Sequence, residues 1–176
     1  MPGPSITVLG LDPGSERTGY ALARFEGDRV VELTLGTWHV PGGLSPEDGL
    51  AHLVTHCEGF LDAHAVSVAA VESLFHHRNV RSLIVLAQAR GALLAALGRR
   101  GIAVHAYPPA TVKRTVCGSG AAAKEQVRKV MLLTVPGLSR FPVEAEGLDA
   151  TDALAIAVTH RVHARSARVL GLAGRR

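Results

Sequence analysis

The chain has 176 residues, 47% of them apolar, which suits one domain with a sizeable core. Its formal charge of +4 is unevenly spread. Residues 1–88 carry 5 Lys+Arg against 10 Asp+Glu (−5), and residues 89–176 carry 14 against 5 (+9), so the basic half points to a polyanionic partner such as nucleic acid. No stretch reads as long enough to span a membrane, and Met1–Ser5 is too short for a signal peptide. The two cysteines, Cys57 and Cys117, have no metal-ligand spacing, and the expectation is a cytoplasmic protein without structural disulfides.

In chain order, Ile6–Leu11 is apolar on both faces and reads as a central strand that stops at the turn Asp12-Pro-Gly-Ser15. Gly19–Phe25 and Val30–Val40 are further strands, joined by a hairpin turn at Glu26-Gly-Asp28. Ser45 caps a helix with Pro46 at its first position, and Leu50, Leu53, Val54, Cys57 and Leu61 recur at helical spacing. Val66–Val71 is the next strand and ends at Glu72. After the polar loop Ser73–Asn79, a helix runs from about Val80 to Arg99, carrying a stripe of small residues at Ala87, Gly91, Ala95 and Gly98. That stripe would admit a second helix or pack on the chain's own sheet. Ile102–Tyr107 is a short strand, followed by helices at Ala110–Val116 and from Lys124. Between them, Gly118-Ser-Gly120 is not a Walker A loop, since no Ser or Thr follows Lys124; it lets backbone approach a phosphate or simply flexes.

The order β-β-β-α-β-α-β-α-α, ahead of a last apolar segment, predicts one α/β domain: a mixed sheet with helices on its faces over residues 1–165, then a basic, frayed tail at 166–176.

That last segment, Leu148–Val158, brings two carboxylates three residues apart, Asp149 and Asp152, to the start of an otherwise apolar run. As a helix it holds both acids on one face near its N-terminus. Capping is the simplest alternative, with Asp149 as cap and Asp152 at the third position. Asp12 and Glu72 each follow an apolar strand directly. Taken singly, Asp12 is a turn residue, and Glu72 is a strand-end acid able to pair with Arg78 or Arg81. Taken together, neighbouring strand ends and a helix laid on the sheet would gather all four acids. Carboxylates within about 5 Å repel by roughly 3 kcal/mol per pair at an effective dielectric near 20, so such a cluster calls for protons or divalent cations. Oxygen ligands favour Mg²⁺ or Mn²⁺, and no Cys/His set with zinc spacing stands out. The chemistry implied is phosphodiester cleavage with two metal ions.

Five motifs then carry a resemblance: Leu9-Gly-Leu-Asp12-Pro-Gly-Ser, Val71-Glu72-Ser-Leu-Phe75, Gln88-Ala-Arg-Gly91, Ser119-Gly-Ala-Ala-Ala-Lys124-Glu-Gln-Val127 and Asp149-Ala-Thr-Asp152-Ala-Leu-Ala-Ile-Ala157. Over about residues 5–165 the chain resembles the RuvC family of Holliday-junction resolvases, with every motif in the family's order. The resemblance implies an RNase H-like fold, here a mixed five-stranded sheet flanked by helices. It implies a homodimeric endonuclease that nicks opposed strands of a four-way DNA junction symmetrically, with two Mg²⁺ ions per site and Mn²⁺ able to substitute. Asp12, Glu72, Asp149 and Asp152 match the family's catalytic acids, and Phe75 its aromatic at the crossover. Lys113 and Lys124 match lysines associated with DNA contact; Arg78 and Arg81 are further candidates for that surface. The dimer contact falls on the helix carrying Gly91, and joint action with the RuvA–RuvB branch-migration complex follows from membership.

His76, His77 and Arg78 occupy a loop that the family varies, and His160 reads as structural. An actin-like ATPase also begins with an apolar strand and Asp-x-Gly, here Asp12, Gly14 and Gly19, but needs two such domains to enclose a nucleotide.

Overall fold

The computed structural model describes residues 5–74 and 79–171. Three strands lead: β1 (Ser5–Asp12), β2 (Arg17–Glu26) and β3 (Arg29–His39). They are followed by α1 (Pro46–Ala63), β4 (Val68–Glu72), α2 (Val80–Arg99), β5 (Val104–Tyr107), α3 (Pro109–Cys117) and α4 (Lys124–Thr134). Single 3-10 turns at Leu138–Arg140 and Val143–Ala145 fill the irregular connection before α5 (Leu148–Val169). Helix α5 thus continues past residue 165, where the sequence suggested the domain would end.

The sheet has the order β3-β2-β1-β4-β5, antiparallel from β1 to β3 and parallel across β1, β4 and β5. The first strand is therefore central, as its two-sided apolar run requires. Its residues alternate between two cores. Val8 faces one core with Ala21, Ala23, Val68, Ala70 and the α5 residues Ala153, Leu154, Ile156 and Ala157. Leu9 and Leu11 face the other with Leu53, Cys57 and Leu61 of α1 and Ala89, Leu93, Ala96 and Leu97 of α2.

Gly10 sets how closely α5 can lie on β1. A Cβ there would sit 2.0 Å from the Ala153 carbonyl oxygen and 2.9 Å from the Ala157 nitrogen, so only glycine lets the helix backbone rest directly on the strand. The small residues of α5 complete that approach.

Helix α2 corrects one expectation from composition, because it is long and apolar enough to cross a membrane by length and composition. Its buried face belongs to the second core. Its small-residue stripe does not: Ala87, Gly91, Ala95 and Gly98 are all exposed, among the described residues no other element comes within 4 Å of a Cβ built at Gly91 or Gly98, and Val80 and Ile84 are 66% and 53% exposed on the same helix. Of the two readings of that stripe, packing on the chain's own sheet is excluded. Gly118 ends α3 in the left-handed region at φ +74°, its N–H donating to the Arg114 carbonyl, so this loop is a helix C-cap.

Candidate active site

Asp12 is the last residue of β1 and Glu72 the last of β4. Parallel pairing of Leu11 with Val71 makes them neighbours at the carboxyl end of the sheet, where ligand sites of open α/β sheets form. Helix α5 crosses the same edge. Across the antiparallel pair, Asp12 stands opposite Gly19, and a Cβ on Gly19 would meet the Asp149 carbonyl oxygen at 2.0 Å. The first turn of α5 is thus seated on the strand beside Asp12.

The cap of α5 is Gly147, which offers no side chain. Asp149 is the second helical residue and Asp152 lies a turn further in, so the capping alternative fails for both. Asp149 remains in the first turn, where the exposed amides favour negative charge.

Asp12, Glu72 and Asp152 line one cavity of about 230 Å³, together with Lys113, Lys124, Pro109 and Val112. Asp149 faces the adjoining cleft of about 640 Å³, with Arg17, Thr37, His39 and Glu146; Lys124 borders both. Three of the four acids are therefore brought together, and the fourth stands next door.

Burial, followed by the charges of Glu72 and Asp152, pushes the Asp12 carboxyl up to about 8. Burial also raises Glu72, with Asp152 adding to the effect and Lys124 and a hydrogen bond from Asp12 opposing it. Asp152 is raised by burial against the pull of Lys124. Cations offset the cluster: the Lys124 ammonium lies on the Asp152 carboxylate, Arg17 Nε is 3.2 Å from Asp149 Oδ2, and the charge of Lys113 acts on Glu72 and Asp152. Among the described residues, no three acidic, histidine or cysteine side chains already converge on a common metal position. The donor chemistry nonetheless fits a hard divalent cation, since partly buried carboxylates that repel one another are relieved by such an ion.

Of the other candidates, Lys113 and Lys124 border the carboxylates, whereas Arg81 is exposed in the first turn of α2 and lines neither cavity. Phe75, His76, His77 and Arg78 lie outside the described residues. His160 is buried, its Nδ1 2.9 Å from the Tyr107 hydroxyl and its ring 4.6 Å from that of His105. Two residues were not legible in the sequence. Arg17 lies at the start of β2 and meets Asp149 only through the tertiary fold. Arg90 donates from Nε to the Glu72 carbonyl at 3.0 Å; it lies within the Gln88–Gly91 motif, the one hint available.

Comparison with known proteins assigns the chain to a family. Residues 8–160 match the family model described as crossover junction endodeoxyribonuclease RuvC. The protein of that name from Sphingopyxis alaskensis is 38% identical over 160 residues, covering 91% of this chain and 99% of its own. The one from Syntrophomonas wolfei is 39% identical over 155 residues, 88% of each chain. Among solved structures, Thermus thermophilus RuvC superposes with a TM-score of 0.76 at 28% identity, covering 92% of this chain and 96% of that one. The same protein in complex with Holliday junction substrate gives 0.74 at 25% identity, with the same coverage. The yeast mitochondrial Holliday junction resolvase Ydc2, at 15% identity and a TM-score of 0.65, shares the fold. With a family match spanning nearly the whole sheet and helix framework that carries the carboxylates, the chain belongs to the RuvC family of crossover junction endodeoxyribonucleases, divalent-metal-dependent hydrolases of DNA phosphodiester bonds.

Proposed function

We propose that this endonuclease resolves four-way DNA junctions through a centre formed by Asp12, Glu72, Asp149 and Asp152, as a step in recombination and repair. The observation that carries the reading is the shared cavity of Asp12, Glu72 and Asp152, edged by Lys113 and Lys124. Two Mg²⁺ ions, replaceable by Mn²⁺, would supply an activated water on one side of the scissile phosphate and stabilisation of the leaving oxygen on the other.

The side chains around the cavity divide the work in this reading. Asp12 and Glu72 would hold the cations from the sheet edge, and Asp152 and Asp149 from the helix. With Asp152 turned to a cation, Lys124 would be free to engage a backbone phosphate beside Lys113. Arg90 fixes the strand end that carries Glu72. Phe75, following Glu72 in sequence, stacks on an unpaired base near the crossover, and Arg78 and Arg81 extend the DNA surface.

Paired cuts require two centres facing one junction. The outward apolar face of α2, with Val80, Ile84, Ala87, Gly91 and Ala95 exposed, supports a homodimer built through that helix. Cooperation with the RuvA–RuvB complex and residence in the cytoplasm complete the reading.

The direct test is incubation with a synthetic four-way junction and Mg²⁺. Symmetric paired nicks in opposed strands, with linear duplex of the same sequence left intact, are expected. Equal cutting of the duplex would make the protein a general nuclease, and binding without any products would make it a silent junction binder.

A further inference from the structure

Helix α1 carries a second pair of metal-competent side chains, remote from the carboxylates in sequence. His52 and His56 are four residues apart, so they share one stripe of the helix a turn apart. Their Nε2 atoms are 3.1 Å apart, and the rings meet edge to face, with centroids 4.7 Å apart and planes at 81°. The stripe is not the one that faces the sheet, which is made by Leu53, Cys57 and Leu61. His56 is exposed and His52 half-buried, so both rings are open to a solute.

The geometry suits a chelate. With metal–nitrogen bonds of about 2.1 Å, two donors 3.1 Å apart subtend about 95° at an ion, between the octahedral and tetrahedral angles. The helix holds both backbones, so little ordering is needed when an ion replaces the contact between the two ring nitrogens. Burial and the neighbouring His52 lower the His56 pKa from its ordinary value, which keeps its lone pair available near neutral pH.

We propose that His52 and His56 form a two-imidazole site for a borderline transition ion of the Zn²⁺, Ni²⁺ or Cu²⁺ class, separate from the carboxylate centre. Imidazole donors select such ions, whereas carboxylates select Mg²⁺ and Mn²⁺, so one chain sorts two classes of cation by donor type. The other coordination positions belong to water. Asp48 is one turn back on the same stripe, but its Oδ2 accepts from Ser45 Oγ at 2.9 Å. His64, two turns on, stacks on Phe60 and bonds its carbonyl oxygen. Two ligands on one exposed helix turn leave no three- or four-ligand zinc spacing in the sequence.

The test is titration of the full chain, without Mg²⁺, by Cu²⁺ alone, following amide resonances. Broadening should begin in α1 around residues 49–59 at less than one equivalent. His52→Ala and His56→Ala should each weaken binding at least about tenfold, as loss of a single support of a metal site does. Both variants should nick junctions in Mg²⁺ as the wild type does. Broadening that begins around Asp12, Glu72 and Asp152 while α1 stays sharp would overturn the proposal, and so would unchanged affinity in both variants.

Discussion

The carbonyl oxygen of Asp149 lies where a side chain on Gly19 would begin: a Cβ there would be 2.0 Å away. This contact seats the first turn of α5 against β2 and fixes Asp149 and Asp152 relative to Asp12, the partner of Gly19 in the sheet. Gly19→Ala must push the helix off the strand, at about 1–3 kcal/mol of stability. Junction nicking should fall further than this loss accounts for, because the helical acids move from the sheet acids. Gly59→Ala in α1, where nothing lies within 4 Å, should instead be neutral or stabilising. Urea denaturation beside a nicking assay compares the two variants.

Asp152→Asn keeps the shape of the cavity but removes one anionic donor. Mg²⁺-dependent cleavage should be abolished while junction binding, read by fluorescence anisotropy, stays close to wild type. Comparable nicking by this variant would dismiss the carboxylate assignment.

Lys124→Gln and Lys113→Gln test the phosphate surface. Each should weaken junction binding and flatten its dependence on salt, the slope of log K against log[salt] changing by about 0.9 for each phosphate that is no longer neutralised. Lys124→Gln should also tighten apparent Mg²⁺ binding, since the ammonium on Asp152 competes with the cation. A steeper salt slope in both variants would exclude them from the DNA surface.

The buried acids predict how metal-free stability varies with pH. Asp12 has a native pKa raised to about 8, well above its value in the unfolded chain, so the native state binds the extra proton between these limits. Stability from this group is present below the unfolded pKa and is lost as pH rises through the folded one. His160 acts oppositely below its unfolded value of 6.5: burial lowers it to about 4 in the fold, so its contribution is lost as pH falls from 6.5. From about pH 6.5 to 8 the Asp12 proton makes stability fall with rising pH, this group alone contributing at most about 1.4 kcal/mol per unit, and the raised Glu72 and Asp152 act in the same direction. Asp12→Asn should flatten this region, and saturating Mg²⁺ should flatten it likewise, since each removes the proton that only the native state holds; thermal denaturation across the window measures both.

The outward face of α2 predicts assembly. Ile84→Glu, at a position 53% exposed in the single chain, should leave folding intact, yield monomers in sedimentation where the wild type forms dimers, and convert paired nicks to unpaired ones. A dimeric Ile84→Glu variant would move the interface elsewhere.

Much of this molecule was written locally. Alternation and apolar runs located all five strands, because strand burial has a short period that neighbouring residues reveal. The positions of Asp12 and Glu72 at strand ends, and of Asp149 and Asp152 at a helix start, were equally legible, and ordered motifs named the family. Boundaries and partners were not. Gly147 rather than Asp149 caps α5, without a side-chain cap hydrogen bond, so neither acid is spent on the helix end. Arg17 meets Asp149 across 132 residues of chain, and Lys124 meets Asp152 across 28; long-range ion pairs leave no periodic trace. Composition suggested no segment able to span a membrane, whereas α2 has that length and apolarity, since its buried face serves the core and its outer face is left exposed. Sequence alone determined the strands, the acids and the family. Only the tertiary structure decided that three acids share one cavity while the fourth faces the next, because that division depends on where the backbone of α5 can touch two glycines of the sheet.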